Sequence, residues 1–341
     1  MAWVFVGYKR LLLPLRILST ICILMYASHL LVKRRAFGTV HRCHQRTPDE
    51  KALVFIGGHP RSGTTLLRVL LDVHPQIRCG PESRIIPHML SQLNSFQSGY
   101  VNHQLKAARV YPQAVHAAFS AFIATLVEEA GEPAQTLCSK DPMTFEFLRL
   151  LGGLFPKAKF IHVVRDGRAV TASMLKRRIT TGDGIRSARF VFWRWEKITF
   201  SMVQQCSELG PLGCFQVRYE DIVLRPHATM RKILGFLGVP WDPVVLRHET
   251  KLAEGTVFSD LERSTSQVKY PIHTKAVDAW ARSNSVLSKK FIQTAHLNSS
   301  LLKKLGYASA GIPPNYGEVE PKVLQTTARL SKNPDFLELF S

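Results

Sequence analysis

Apolar positions fall into three kinds of run along the chain. The segment 11–32 is apolar almost throughout, broken only by Pro14 and Arg16. As a helix it would span roughly 33 Å, enough for a bilayer core of about 30 Å. Short continuous runs at Leu53-Val54-Phe55-Ile56 and Lys159-Phe160-Ile161-His162-Val163-Val164 predict central strands buried on both faces, and Phe215-Gln216-Val217-Arg218-Tyr219 predicts a third. Helical spacing marks 64–71, an alanine-rich stretch over 101–130, 144–151 stopped by Gly152-Gly153, 167–178, 187–208, 226–237, 243–252 and 285–305. In 187–208 the residues Phe190, Phe192, Trp193, Trp195 and Phe200 read as core. Residues 255–282 look loop-like, and little periodicity follows Gly311.

Strands alternating with helices predict an α/β class: a single domain with a central parallel sheet flanked by helices, its site at the carboxyl ends of the strands. This domain occupies 52–320. Before it come a tail (1–10), the apolar segment read as a transmembrane signal anchor (11–32) and a short stem (33–51); a C-terminal tail (321–341) follows. Cleavage of the apolar segment as a signal peptide competes with anchoring, but no small-residue cleavage site precedes Lys33-Arg34-Arg35. Basic residues flank both ends of the segment, so charge does not orient it.

Charge narrows the partners. Lys and Arg number 45 against 25 Asp and Glu, a net +20, which favours nucleic acid, anionic membranes, acidic peptides or small polyanions. Nucleic acid would leave the apolar segment unexplained. Cys79, Cys138, Cys206 and Cys214 follow that segment without a CxxC spacing, which argues against a structural metal and leaves disulfides or buried thiols open. Asn298-Ser299-Ser300 is a glycosylation sequon.

The chemistry concentrates after the first strand, in Gly57-Gly58-His59-Pro60-Arg61-Ser62-Gly63-Thr64-Thr65. Gly58 and Gly63 bracket four residues as in a nucleotide phosphate loop, with Thr64 where the usual lysine stands. Backbone N–H groups and the following helix can hold an anion there, and Arg61 can supply the cation. An ATPase or kinase requires that lysine and a magnesium-binding aspartate at a strand end; the sequence offers neither clearly. Arg165, Ser173 and Arg177, at and behind the end of a later strand, could hold a second phosphate. Glu82, beside Arg78 and Arg84, and Lys140-Asp141-Pro142 are further candidates that salt bridges or a turn would also explain.

Together these residues resemble the protein-tyrosine (tyrosylprotein) sulfotransferases. The resemblance runs through Phe55-Ile56-Gly57-Gly58, Pro60 to Leu66, Ile77-Arg78-Cys79-Gly80, Glu82, Lys140-Asp141-Pro142, Val164 to Ala169, Glu262-Arg263-Ser264-Thr265 and Pro313-Pro314-Asn315-Tyr316-Gly317, and covers about 52–320. It implies a sulfotransferase fold with a phosphate-type loop. It also implies sulfuryl transfer from 3′-phosphoadenosine 5′-phosphosulfate to tyrosines of secretory and membrane proteins in acidic contexts, releasing adenosine 3′,5′-bisphosphate and requiring no metal. By the same resemblance Glu82 is the general base, while Arg61, Lys140 and Ser264 steady the transferring group. Arg61, Ser62, Gly63, Thr64, Thr65, Arg165, Ser173, Arg177, Tyr219, Ser264, Thr265, Gln267 and Val268 hold the nucleotide. Arg84 and His88 meet the acidic substrate. The resemblance further implies the disulfides Cys79–Cys138 and Cys206–Cys214 and a homodimer held by one anchor in the Golgi membrane (type II, domain luminal).

The sequence departs from the family pattern at His59, at Pro81 (for the first of two glutamates), at His88 (for an arginine) and at Ala279, where a nucleotide-holding lysine precedes the tryptophan. Lys269 or Lys275 would have to substitute for that lysine. A carbohydrate or small-molecule sulfotransferase would share the loop, but the Glu82 and Cys79 context argues against it. A silent nucleotide-binding scaffold would fit Ala279, but not the retention of Arg61, Glu82, Lys140 and Ser264.

Overall fold

The computed structural model describes residues 53–179, 187–251 and 268–339. The apolar segment 11–32 and its flanks, as well as Ser264, Thr265 and Gln267, lie outside the described residues. Within the described residues no helix is long and apolar enough to cross a membrane.

The chain runs β1 (Leu53–Gly57), α1 (Thr64–Asp72), β2 (Ile77–Cys79), α2 (Ile85–Ser95), α3 (Gly99–Ala107), α4 (Gln113–Glu129) and β3 (Thr136–Lys140). A 3-10 turn (Pro142–Phe147) leads into α5 (Leu148–Leu154), β4 (Lys159–Val164), α6 (Gly167–Lys176), α7 (Ala188–Gly213) and β5 (Cys214–Arg218). Then come α8 (Tyr219–Leu224), α9 (Pro226–Leu237), α10 (His248–Lys251), α11 (Lys289–Thr294), α12 (Ser300–Lys304), α13 (Pro321–Leu330) and α14 (Pro334–Glu338).

The described strands form one parallel sheet in the order β2-β3-β1-β4-β5, the α/β architecture expected. Alternation along β1 explains its unbroken apolar run. Leu53 and Phe55 enter one core with Phe145, Phe155 and Phe160, while Val54 and Ile56 enter the other with Leu67, Leu70 and Ile161. Phe55 stacks on Phe160 with ring centroids 5.7 Å apart, and burial of each such side chain stabilises by about 1.5–3 kcal/mol. The chain leaves β1 toward one edge of the sheet and β4 toward the other. The crevice between their carboxyl ends is therefore the place for a ligand.

Several expectations are corrected. The stretch 101–130 is two helices, because Arg109 turns left-handed (φ 59°) ahead of Pro112. Gly152-Gly153 do not stop a helix: α5 runs through them, and Gly152 lets Leu209 of α7 approach where a Cβ would lie 2.7 Å from its Cδ2. The segment 285–305 divides into α11 and α12. On α7, Phe192 and Trp195 are core, whereas Trp193 is 53% exposed and Phe200 also faces outward. Residues 321–339, expected to lack periodicity, carry α13 and α14 and bury Val323, Leu330 and Phe336.

Candidate active site

The loop after β1 owes its shape to two glycines. Gly58 has φ 148°, and a Cβ there would lie 2.3 Å from the Val163 carbonyl oxygen. Gly63 (φ 101°) begins α1, and a Cβ there would lie 2.3 Å from Tyr219 Cδ2. Between them Arg61 takes φ 73°, a left-handed conformation that costs a non-glycine residue about 1–2 kcal/mol. Strain of this kind at a turn above a helix N-terminus belongs to anion cradles.

Arg61 is aimed by its neighbours. Its Nε donates to Ser173 Oγ of α6 at 3.0 Å, and Arg165, just beyond β4, donates from Nη1 to the Arg61 carbonyl at 3.1 Å. The Arg165 guanidinium also lies 4.2 Å from the Tyr219 ring centre and donates to the Ala276 carbonyl at 2.7 Å. Burial, then the charges of Arg177 and Arg165, pull the Arg61 guanidinium down to about 9, with Tyr219 and Glu82 opposing. Burial also lowers Arg177. This concentration of positive charge is what a multiply anionic ligand would relieve.

Two cavities meet at Arg165 and Ala276. One, of about 520 Å³, is lined by Arg61, Gly63, Thr64, Thr65, Glu82, Asp141 and Val268, with Arg84 and His88 exposed at its rim. The other, of about 560 Å³, is lined by Ser173, Lys176, Arg177, Ala279, Trp280 and Arg282. Thus the sequence-selected loop residues, Tyr219 and Val268 surround one space, and Ser173 and Arg177 the other. Ser62 is buried behind the loop wall.

Glu82 and Lys140 come together through the sheet. Parallel pairing sets Ile56 beside Lys140 and Cys79 beside Cys138, so the ends of β1, β2 and β3 converge. The Cys79–Cys138 disulfide links the last two; Cys206–Cys214 joins α7 to β5. Lys140, almost wholly buried, donates to Glu82 Oε1 at 2.6 Å and to Thr65 Oγ1 at 3.4 Å. Arg84 Nε stands 3.6 Å from Glu82 Oε2. Arg78 does not share in this cluster, contrary to expectation: its guanidinium donates to the Val127 and Glu128 carbonyls.

The donor-side wall is fastened to β4. Tyr316 donates to Asp166 Oδ2 at 2.8 Å and accepts from Trp280 Nε1 at 3.0 Å, while Arg168 pairs with Asp166 at 2.7 Å and covers the Trp280 ring. His248 Nε2 lies 2.9 Å from the Val268 carbonyl oxygen. Phe336 of α14 packs edge-on against Tyr270 and His273, which face the first cavity, and Leu339 reaches the second.

Sequence reasoning missed several of these residues. Lys269 and Lys275 do not line the cavity at Ala279 among the described residues; Lys176, Arg177 and Arg282 do. Asp141 stands at a strand end after all, because the mostly polar Thr136–Lys140 is a strand. Asn298 is exposed just before α12.

An anion loop, a second basic cavity and a buried lysine paired with a carboxylate form a site suited to group transfer from an anionic ligand. A family model described as "Sulfotransferase family" matches residues 53–243. Protein-tyrosine sulfotransferase 2 of Gallus gallus is 40% identical over 84% of this chain and 78% of its own length. Protein-tyrosine sulfotransferase 1 of Danio rerio is 40% identical over 83% and 80%, and that of Homo sapiens 40% over 84% and 79%. A solved sulfotransferase domain from a Synechococcus olefin synthase is 25% identical over 74% of this chain and 97% of its own, with a TM-score of 0.47. The chain belongs to the protein-tyrosine sulfotransferase family.

Proposed function

We propose that this chain transfers a sulfuryl group from 3′-phosphoadenosine 5′-phosphosulfate to the phenolic oxygen of protein tyrosines and releases adenosine 3′,5′-bisphosphate. The observation that carries the reading is Glu82, on the same cavity as Arg61 and the anion loop and paired at 2.6 Å with the buried Lys140 behind it. The names of its relatives supply tyrosine as the acceptor. The loop and Arg61 hold the 5′-phosphosulfate, while Arg165, Ser173 and Arg177 hold the 3′-phosphate, with Lys176 and Arg282 replacing the charge absent at Ala279. Both groups suit the residues present, since Arg61 and Arg177 are partly buried cations and Arg177 and Arg165 crowd Arg61 with like charge.

A phenol ionises near pH 10, so its proton must leave as attack proceeds. Glu82 takes that proton. The phenolic oxygen bonds to sulfur, and the bond from sulfur to the 5′-phosphate oxygen breaks, its electron pair remaining on the phosphate. A protonated Glu82 holds Lys140 less tightly, which turns the ammonium toward the sulfuryl oxygens as their charge grows. Arg61 faces the same charge, and Ser264 adds a neutral donor.

Acidic residues flanking the tyrosine would meet Arg84 and His88 at the rim. We place the domain on the luminal side of a Golgi membrane, held by 11–32 as a type II anchor through the stem 33–51, as a homodimer with a glycan on Asn298. Two disulfides support an oxidising compartment.

The test uses the full-length chain in detergent with labelled donor and a tyrosine peptide bearing acidic flanks. Wild type should sulfate the peptide. Glu82→Gln should bind adenosine 3′,5′-bisphosphate normally and lose at least about a hundredfold in kcat. Transfer by Glu82→Gln at the wild-type rate would overturn the base assignment. Failure of folded wild type on several such peptides would overturn the function.

A further inference from the structure

Resting on the function just proposed, we infer that Asp141 is a positioning residue of the transfer step, fixing the turn that carries Glu82 on the end of β3. Asp141 follows Lys140 directly and is 4% exposed, yet it lines the reaction cavity. Its backbone is locked: the N–H donates to the Ile56 carbonyl at 3.2 Å, and its carbonyl accepts from Thr144 N–H at 3.2 Å. Its carboxylate accepts from the backbone N–H groups of Arg84 and Met143. The Arg84 contact ties the turn carrying Glu82 to β3, independently of the Glu82–Lys140 pair. The atom Oδ2 is buried without a hydrogen-bond partner among the described residues. A purely structural carboxylate would be expected to have both oxygens satisfied.

The charged groups facing Asp141 are Glu82 and Arg84 from the turn after β2, and Lys140 beside it. Arg61 and His88 line the same cavity from the anion loop and α2. Burial first, then repulsion from Glu82, push the Asp141 carboxyl up to about 7, against Lys140 and the two backbone donors. Its charge therefore changes within the working range of pH. Once ionised it accepts the Arg84 and Met143 N–H groups more strongly, which holds the turn presenting Glu82 in place.

The experiment compares wild type with Asp141→Asn, which keeps the shape and one acceptor. Three quantities are measured from pH 6 to 8.5 on the full-length chain: kcat, the KM for donor, and the melting temperature. The variant is expected to bind adenosine 3′,5′-bisphosphate and melt normally at pH 6. Its kcat should fall about tenfold below wild type at pH 8, with an unchanged KM for donor, and approach wild type at pH 6. A ratio of kcat values that stays constant with pH, or equal kcat at pH 8, would overturn the inference.

Melting gives a readout that does not depend on tyrosine being the acceptor. A carboxyl raised in the folded state contributes stability below its unfolded value near 4 and loses it as pH climbs through about 7. The melting temperature of wild type should therefore fall relative to Asp141→Asn from pH 6 to 8. Parallel melting curves would overturn the inference even if the acceptor proved to be something other than tyrosine. Absence of tyrosine sulfation with diverging curves would overturn only the function.

Discussion

Acidification should weaken this fold through one histidine in the middle of its sheet. His162 lies on β4 opposite Gly57, has no exposed surface, and has neither ring nitrogen hydrogen-bonded among the described residues. Its nearest ring neighbour is Phe145, at 5.8 Å. Burial alone drives the imidazole from 6.5 down to about 3. The sign follows directly. Below pH 6.5 the unfolded chain binds a proton that the folded chain refuses, so stability falls as pH falls. Over the whole interval, 6.5 to 3, the loss is about 5 kcal/mol, of which about 2 kcal/mol is incurred by pH 5. His162→Phe removes this titration and also one unsatisfied polar ring. Urea unfolding of both proteins at pH 7.5, 6.5 and 5 should show the variant gaining about 2 kcal/mol on wild type between the first and last. His59 and His273, both lowered to about 4 chiefly by burial, act with the same sign. They remain in the variant, so they cancel in the difference. A gap between the two proteins that does not change with pH would refute the reasoning.

Other perturbations separate structure from chemistry. Phe336→Ala empties a fully buried site against Tyr270 and His273 and should cost about 3–5 kcal/mol in denaturant unfolding. Calorimetry should also show weaker binding of adenosine 3′,5′-bisphosphate, because those rings face the donor cavity. Gly63→Ala drives a methyl into Tyr219 at a left-handed position, so the same calorimetry should show donor binding largely abolished while circular dichroism keeps its helical signal. Tyr316→Phe leaves Trp280 Nε1 without its acceptor and removes one donor from Asp166, which keeps Arg168, and should cost about 1–3 kcal/mol in unfolding, with a raised KM for donor. Replacing Cys206 and Cys214 by serine should lower stability by about 2–4 kcal/mol yet leave kcat intact, since that bridge enters β5 at the end of the sheet away from the cavities.

The sequence made the anion loop legible because everything that shapes it is local: an apolar strand, two glycines and a helix within twenty residues. Arg165 was legible for the same reason, at the end of the apolar strand β4. The Glu82–Lys140 pair was reachable only by family resemblance. It depends on β2 and β3, and these are short or mostly polar strands that offer no continuous apolar run to read. Asp141 reads only as part of the Lys140-Asp141-Pro142 turn, with no role of its own, because a residue after an unrecognised strand looks like any turn. The C-terminal helices could have been found: Val323 and Leu330 stand seven apart on one face, and Asn333 caps Phe336 through its side chain. Exposure of Trp193 and Phe200 was not readable, since α7 offers aromatics to the core and to the surface alike.

The bridge between Cys79 and Cys138 bears on when the enzyme becomes competent. Cys79 precedes Glu82, the proposed base, by three residues, and Cys138 precedes Lys140, which pairs with Glu82, by two. On the proposed function, oxidation of this cysteine pair is a step that completes the site. The anion loop lies outside the bridged strands, so a reduced chain should still form it while strand pairing alone holds the segments carrying Glu82 and Lys140 together. Such a chain would retain donor binding while turning over slowly, so compartment redox state and catalytic readiness are coupled through a single bond.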